Sequence, residues 1–343
     1  MRIALIGVFS PRTDEGMRKI CRQIEANVRT EHETLCVQSR SFCTGVAWPD
    51  LRRFRPQCLH YLTGPTIRSI LALRLHKATL PGRPITVASG IRPFLGLVAR
   101  RALRWIAPDH FLSQSESWEH LFESAGSAVT DIPNGVDTSR FRPIDAATRK
   151  DLRARFGFSQ ETRVILHVGH VKENRNLDSL IEVQRLPGHQ VWIVGSESQS
   201  TPGPWRQRLE AAGCRITTEY LPAVENVYQS ADAYVFTVKA VRPGTYPQSY
   251  NEVGVIDLPL SVLEAMACGL PVATTRHDAV ERYCGGVPGL EFFDGSGADC
   301  IRALSASLRS PPQTRARAEA LDLKRVMGRL SRFHQKVATE ARV

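Results

Sequence analysis

Short apolar runs alternate along the chain with longer stretches in which apolar residues recur every three or four positions. Such runs are typical of buried strands, and the longer pattern is typical of amphipathic helices. The first half is predicted to form strands at Arg2–Phe9, Thr34–Gln38, Cys58–Leu62, Ile85–Ser89, His110–Ser113 and Val129–Ile132. The helices predicted between them are Met17–Arg29, Ile67–Lys77, Phe94–Ile106 and Ser117–Ser124.

The second half repeats the alternation. The predicted strands there are Val164–Val168, Gln190–Val194, Ala233–Val238 and Pro271–Thr275. The predicted helices are Leu177–Val183, Trp205–Ala212, Ser261–Ala267 and a C-terminal helix from Thr314 to Thr339. The segment Asn134–Thr148 is rich in Pro, Asp and Asn, and it is predicted to link the two halves.

Continuous apolar strands that alternate with helices indicate a parallel sheet covered on both faces. The sequence therefore predicts an α/β protein with two Rossmann-like, doubly wound domains that face a central cleft. A length of 343 residues also fits about two domains. Ligands of such sheets bind beyond the carboxyl ends of the strands, so the loops that follow the strands are the first places to examine.

The net charge of +11 comes from one part of the chain. Residues 51–108 contain eleven Lys and Arg residues and no acidic residue. The rest of the chain has 45 − 11 = 34 basic and 34 acidic residues, so it is neutral. This asymmetry predicts an anionic partner for the basic segment 51–108.

The stretch Pro93–Ala107 suggests what that partner is. Drawn as a helix, it gathers on one arc the apolar residues Phe94, Leu95, Val98, Ala102, Trp105 and Ile106. Arg100, Arg101 and Arg104 lie on the other arc, as in helices that rest on anionic membranes. An ordinary helix whose apolar side packs on its own sheet fits the same pattern. Nucleic acid is not predicted as a partner, because no recognition motif accompanies the charge.

Composition excludes several classes of protein. No apolar run approaches the ~18 residues of a membrane-spanning helix. The N-terminal apolar run is predicted to be a buried strand and not a signal peptide. The eight cysteines show neither C-x-x-C nor metal-finger spacing, which fits reduced thiols and a cytoplasmic location.

Two loops that follow predicted strands have anion-binding character. Gly16 ends the loop after the first strand, directly before a helix whose N-terminus favours an anion or a sugar hydroxyl. Gly169, His170, Lys172 and Arg175 follow the strand Val164–Val168, where cations beside a helix N-terminus form a natural diphosphate site. A plain turn in the first case, and a solvated turn in the second, explain the same residues.

The segment Asp257–Val272 is more informative. It reads as a loop, a helix that ends at Gly269, and a buried strand. Glu264 lies among apolar helix positions, where an unpaired carboxylate is costly, so it is predicted to bind a polar group such as a ribose hydroxyl pair. The alternative is a carboxylate on a solvated helix face.

Several motifs resemble one family. Ile132–Asp137 with Phe141–Pro143 looks like the hinge signature of GT-B glycosyltransferases of family GT4, and Leu263–Val272 looks like their donor-binding helix. Gly169–Asn176 falls where the family has its phosphate loop, and Ser230–Val235 resembles the strand before the donor loop. The resemblance covers the whole chain, and the motifs occur in the same order as in the family. It implies transfer of a sugar from a nucleotide-diphosphate sugar, with retention of anomeric configuration.

The resemblance implies roles residue by residue, with departures. His170 stands at the family's phosphate-loop arginine and Arg175 at its lysine, so Arg175, helped by Lys172 or His170, would hold the diphosphate. Glu264 would hold the ribose. The family's other glutamate corresponds to Ile256; the adjacent Asp257 is the predicted substitute and Glu252 the alternative. Further residues expected at the nucleotide-sugar are Gly16, Gly169, Leu260 and Ser261.

One further departure concerns a histidine that in the family contacts the donor sugar. The matching place here is Ala88-Ser89-Gly90, and the nearby candidate is His60. A histidine at a strand end is also common as a structural residue. These departures leave two interpretations: an active enzyme, or a degenerate relative that binds a nucleotide-sugar or a partner with little catalysis.

The resemblance also implies an organisation and partners. Residues 1–140 would bind the acceptor, residues 141–320 the donor, and a helix in 321–343 would cross back to the first domain. The acceptor would be a glycan or a polyprenyl-linked molecule. The basic segment 51–108, and not the resemblance, predicts an anionic membrane surface, which would be the inner face of the cell membrane. No metal or other cofactor is expected, in line with the absence of Asp-x-Asp from the sequence.

Overall fold

The computed structural model describes residues 1–10, 16–172, 175–195, 203–238, 257–276, 278–309 and 311–341. They divide into two compact units. The first comprises Met1–Asn134, Pro243–Leu258 and Lys324–Val343, and the second comprises Gly135–Arg242 and Pro259–Leu323, as far as these ranges are described. The domain boundaries expected at 140 and 320 stay predictions.

The first unit is built on a parallel sheet whose strand order is β2-β1-β3-β4-β5-β6. Its strands are β1 Arg2–Gly7, β2 Glu33–Gln38, β3 Cys58–Thr66, β4 Ile85–Phe94, β5 His110–Ser113 and β6 Ala128–Asp131. The helices between them are α1 Gly16–Val28, α2 Ser39–Cys43, α3 Trp48–Phe54, α4 Ile67–Thr79, α5 Leu97–Ile106 and α6 Glu116–Ser124.

The second unit is built on another parallel sheet, with the order β12-β11-β10-β7-β8-β9. Its strands are β7 Arg163–Val168, β8 His189–Val194, β9 Arg215–Thr217, β10 Ala233–Phe236, β11 Val272–Thr275 and β12 Leu290–Phe293. Its helices are α7 Ala146–Arg155, α8 Asp178–Gln184, α9 Pro204–Ala211, α10 Glu225–Ser230, α11 Leu260–Ala267, α12 Asp278–Cys284, α13 Gly297–Ser307 and α14 Thr314–Ala320. The predicted pair of doubly wound parallel sheets is confirmed; the cleft between them stays a prediction.

The single C-terminal helix predicted from Thr314 to Thr339 is wrong. It is interrupted, and the second part is α15, Leu323–Glu340. The cause lies in the backbone at Val136, whose N–H donates to the Leu321 carbonyl at 3.0 Å and whose carbonyl accepts from Leu323 N at 2.8 Å. These strand-like bonds use backbone groups that a continuous helix would pair within itself.

From Lys324 onward, α15 belongs to the first unit. It buries one stripe, made of Val326, Leu330, Phe333, His334 and Val337, with the spacing of an amphipathic helix. Among the described helices, none combines the length and the apolar character that crossing a bilayer requires.

The helix predicted at Phe94–Ile106 begins later, at Leu97. Strand β4 continues through Pro93 to Phe94, which pairs with Thr66 of β3. Because Phe94 takes part in this strand pairing, its backbone is extended and the helix begins only after it. The core side of α5 is made by Ala99 and Leu103. Two residues of the predicted apolar arc, Val98 and Trp105, are exposed, so the arc does not pack on the sheet as a whole.

Candidate functional site

The second sheet has a switch point between β7 and β10. From β7 the chain adds β8 and β9 on one side and then β10, β11 and β12 on the other. The loops at the carboxyl ends of β7 and β10 therefore diverge and leave a crevice, which is where doubly wound sheets bind their ligands. The candidate loop 169–176 begins directly after β7.

Asp232 joins the two strands of the switch point. Its carboxylate accepts hydrogen bonds from Arg153 at 2.8 Å, from Arg149 at 2.6 Å and from the backbone N–H of Val164 at 2.7 Å. Burial alone would raise the pKa of Asp232, but the bonds from Arg153 and Arg149 outweigh burial and lower it. The aspartate of the motif Ser230–Val235 thus has a structural role: it fixes β10 beside β7.

Gly169 closes the end of β7. Its N–H donates to the Val194 carbonyl at 3.0 Å. A side chain here would be impossible without rearrangement, because a Cβ at residue 169 would lie 2.8 Å from Nε2 of His167. The loop after β7 therefore starts with bare backbone, which a ligand can approach closely.

Arg175 is the buried cation of this loop. It is 8% exposed, and its N–H donates to the Lys172 carbonyl at 3.0 Å. His170 is half-buried and Lys172 is exposed. The positive charge of Arg175 acts on two buried neighbours, His167 and Tyr234. Arg175 therefore lies among side chains that start from both strands of the switch point.

His167 is fully buried beneath the same loop. Its Nδ1 lies 2.9 Å from the Val235 carbonyl, so this nitrogen carries the proton. Burial lowers the pKa of His167 to about 4, and the charge of Arg175 acts in the same direction. The ring is therefore neutral near pH 7, and the loop's buried positive charge is that of Arg175.

Glu264 lies on α11 and is 6% exposed, which excludes the solvated helix face. The hydroxyl of Tyr228 donates to Glu264 Oε2 at 2.7 Å. Burial and the charge of Glu264 raise the pKa of Tyr228 well above its ordinary value, so Tyr228 stays a donor. A carboxylate offers about four acceptor positions, so this bond fixes Glu264 and leaves it the capacity to accept from a ligand.

Tyr234 brings the loop and the helix together. Its hydroxyl lies 3.4 Å from the Val168 carbonyl at the end of β7, and it also bonds Ser261 of α11. Burial raises the pKa of Tyr234, with Glu264 adding to the rise and Arg175 opposing it. The structure thus assembles Arg175, Ser261 and Glu264 around Tyr234, with the buried Leu260 starting the helix.

Two candidates belong to the first unit and lie near its own strand ends. Gly16 is the first residue of α1, next to residues 11–15, which lie outside the described ranges. Asp257 is half-buried, and its N–H donates to the Ile91 carbonyl of β4 at 2.8 Å. The alternative Glu252 lies outside the described residues.

His60 is fully buried in β3. Its Nδ1 lies 3.1 Å from Nε2 of His334 on α15, and its Nε2 lies 2.8 Å from Oγ of Ser89 on β4. Burial lowers the pKa of His60 to about 3 and that of His334 well below its ordinary value. Both ring nitrogens therefore have protein partners, and the geometry favours the structural interpretation of His60 over contact with a sugar.

The comparisons with known proteins bear on the second unit most directly. The family model for glycosyl transferases group 1 matches residues 162–309, which include the switch point and α11. The GDP-mannose-dependent alpha-(1-6)-phosphatidylinositol monomannoside mannosyltransferase of Mycolicibacterium smegmatis is 30% identical over 64% of this chain and 58% of its own length. The mannosylfructose-phosphate synthase of Agrobacterium fabrum is 29% identical over 44% of this chain and 33% of its own length.

Residues 162–309 thus resemble the group 1 glycosyltransferases. The resemblance to this family is therefore confirmed. The chain spans between a third and three fifths of the curated relatives just described.

Solved structures support the same fold over the whole chain. Sucrose-phosphate synthase from Thermosynechococcus elongatus has a TM-score of 0.77 at 15% identity and covers 99% of both chains. HepE of Anabaena, solved with UDP and glucose, has a TM-score of 0.70 at 14% identity and covers 98% of this chain and 100% of its own. The chain thus has the predicted GT-B fold.

Sequence reasoning missed the two tyrosines that organise this candidate site. Tyr234 was visible as a polar position in a buried strand, and Tyr228 lies six residues before it. Neither position indicates that the two hydroxyls reach α11, because the bond from Tyr228 to Glu264 joins residues 36 positions apart. Within the described ranges, no group of three or more His, Cys, Asp or Glu side chains is arranged to hold a metal ion.

Proposed function

We propose that this protein is a retaining glycosyltransferase that moves a sugar from a nucleotide-diphosphate sugar to an acceptor without a metal. One observation carries the proposal: a buried arginine and a buried, tyrosine-anchored glutamate flank the switch point of the sheet that matches the family model. Arg175 would stabilise the charge that gathers on the diphosphate leaving group. Glu264 would bind the ribose, and Asp257 the hydroxyls of the donor sugar.

The acceptor is proposed to be a glycan or a lipid-linked molecule at an anionic membrane surface on the cytoplasmic side, reached through segment 51–108. Two findings support this. The relative from Mycolicibacterium smegmatis is named for a phosphatidylinositol mannoside acceptor. Segment 51–108 has eleven basic and no acidic residues, and anionic lipid surfaces attract such segments.

A thermal-shift panel of nucleoside diphosphates and their sugars tests the donor proposal. We expect at least one nucleotide to raise the melting temperature, because a ligand that binds the folded state stabilises it. With that donor and a suitable acceptor, proton NMR should show retention in the product, and EDTA should leave turnover unchanged. If no nucleotide raises the melting temperature, the proposal that the protein is an enzyme is refuted. A shift without transfer or donor hydrolysis would favour the degenerate relative.

Replacing Glu264 by glutamine tests the ribose role with the nucleotide that binds. We expect about 10- to 100-fold weaker binding, since hydrogen bonds to a charged group contribute about 1.5–3 kcal/mol. Tyr228→Phe should act in the same direction, because it releases the carboxylate from its anchor. Isothermal titration calorimetry measures both effects.

The specific control is the 2′,3′-dideoxy analogue of the same nucleotide. If Glu264 holds ribose hydroxyls, both variants should bind the analogue about as well as the unchanged protein does. An equal loss for the ribose and dideoxy forms would show that the substitutions damage the site generally, and it would remove Glu264 from this role.

A further inference from the structure

Large exposed apolar side chains concentrate in the basic segment. The described ranges expose eight of them, and six lie within 51–108: Ile67, Leu71, Leu75, Leu97, Val98 and Trp105. Soluble proteins seldom gather such residues on one surface unless that surface binds something. The same segment lacks acidic residues altogether, so its apolar and its positive surface coincide.

Helix α4 supplies the first stripe. Ile67, Leu71 and Leu75 are spaced four residues apart, so they lie along one side of the helix. The opposite side packs into the core through Ile70 and Leu73. The exposed stripe is therefore not needed to hold α4 on the sheet. The exposed arginines of this helix are Arg68 and Arg74.

Helix α5 supplies the second stripe. Its core side is made by Ala99 and Leu103, whereas Val98 is 79% exposed and Trp105 is 62% exposed. The guanidinium of Arg104 lies 4.0 Å from the centre of the Trp105 ring. This pair presents an aromatic surface and a positive charge together, a combination suited to the boundary between water and lipid.

The two stripes are neighbours within the first unit. Helix α4 joins β3 to β4 and α5 joins β4 to β5, and these three parallel strands are adjacent. Right-handed crossovers place both helices on the same side of the sheet, where they contact each other. Their outward sides form one surface, the α4–α5 face, which has four exposed arginines: Arg68, Arg74, Arg101 and Arg104.

We infer that the α4–α5 face docks on an anionic lipid bilayer. The inference deepens the proposed function, because it assigns the membrane contact to one defined surface. A nucleic acid would use the arginines but gain little from six exposed apolar side chains. A bilayer uses both, since its headgroups attract the arginines and its acyl boundary takes the apolar stripes. Charge complementarity therefore selects anionic lipid as the occupant.

Flotation of the full chain with lipid vesicles tests the inference. We expect binding to phosphatidylcholine vesicles that contain phosphatidylglycerol, and much weaker binding to phosphatidylcholine alone. The pair Arg101→Gln and Arg104→Gln should weaken partitioning about 25-fold, from about fivefold for each basic residue near the surface. Leu75→Ser with Val98→Ser should weaken it in the same direction without changing the charge.

The matched control lies in the second unit. Arg155 and Tyr220 are an exposed arginine and an exposed aromatic side chain outside the face, so Arg155→Gln with Tyr220→Ser should leave vesicle binding unchanged. The nucleotide-induced thermal shift should be the same in all variants, which separates a failure of this inference from a failure of the donor proposal and confirms folding.

Three results would overturn the inference. One is no binding to anionic vesicles by the unchanged protein. Another is vesicle binding that none of the α4–α5 variants weakens. The third is a switch of partner, in which these variants abolish salt-sensitive binding to duplex nucleic acid, or self-association, while vesicle binding stays unchanged.

Discussion

Arg175→Ala is expected to lower kcat/KM for sugar transfer by about 10²- to 10³-fold, the loss typical of removing one preorganised group that stabilises developing charge. Arg175 is buried at the switch point, and its charge acts on both His167 and Tyr234. A fixed cation in this position can meet the leaving diphosphate without reorganising. Initial rates of nucleotide release measure the effect.

Two further variants make the Arg175 test specific. Arg175→Lys keeps the charge but not the fork of donors, so it should recover part of the lost rate. Arg185→Ala removes an exposed arginine that pairs with Glu182 in the same unit, and it should change the rate little. If Arg175→Ala stays within threefold of the unchanged enzyme while its unfolding midpoint is normal, Arg175 does not hold the leaving group.

The central strands of both sheets could be predicted because they are continuously apolar, and burial on both faces requires that pattern. The missed strands β9 and β12 are edge strands. Strand β9 is three residues long and half-buried, and β12 is four residues long and buried only at its two ends. Short edge strands carry little pattern of their own, because their neighbours in the sheet decide whether they form.

Helix starts were harder to predict, as α5 shows. The apolar period of Pro93–Ala107 is real, but strand pairing between Phe94 and Thr66 extends β4 and removes the first turn. The later start leaves Phe94 and Leu95 outside the helix, although they were part of the predicted apolar arc. The sequence left open whether Trp105 packs on the sheet or faces outward; in the structure it is exposed and contributes to the α4–α5 face.

The candidate site could be predicted where a charged residue stands among apolar ones in the sequence. Glu264 is such a residue in an apolar helix, and the structure confirms that it is buried. Tyr228 and Tyr234 are not unusual in their sequence context, since tyrosines are common in helices and strands. Their contribution depends on long-range contacts with Glu264 and Val168, which only the fold provides.

Acidification from about pH 7.5 to pH 5 is expected to lower the free energy of unfolding by about 4 kcal/mol through His60 and His167 alone. Burial lowers the pKa of His60 to about 3 and that of His167 to about 4, against about 6.5 in the unfolded chain. Between these values the unfolded chain binds protons that the folded chain excludes. Stability is therefore lost as the pH falls below about 6.5, by about 2 kcal/mol for each histidine at pH 5.

Other buried groups also make stability depend on pH. They can be distinguished by the direction of the change and by the pH range in which it occurs. His334 adds a loss in the same direction, because burial and the neighbouring His60 lower its pKa. Asp109 and Asp232 have lowered pKa values, so the stability they contribute is present above about pH 4 and is lost only below it. The histidines therefore dominate the change between pH 7.5 and pH 5.

Urea unfolding at the two pH values measures the difference directly. His167→Phe replaces a neutral buried ring that stacks on Phe236, and it should reduce the pH-dependent difference by about 2 kcal/mol whatever it does to stability at pH 7.5. His120 is largely exposed, so His120→Ala should leave the difference unchanged. A His167→Phe protein that keeps the full pH dependence would mean that His167 already binds a proton in the folded state near pH 6, which its burial beneath Gly169 argues against.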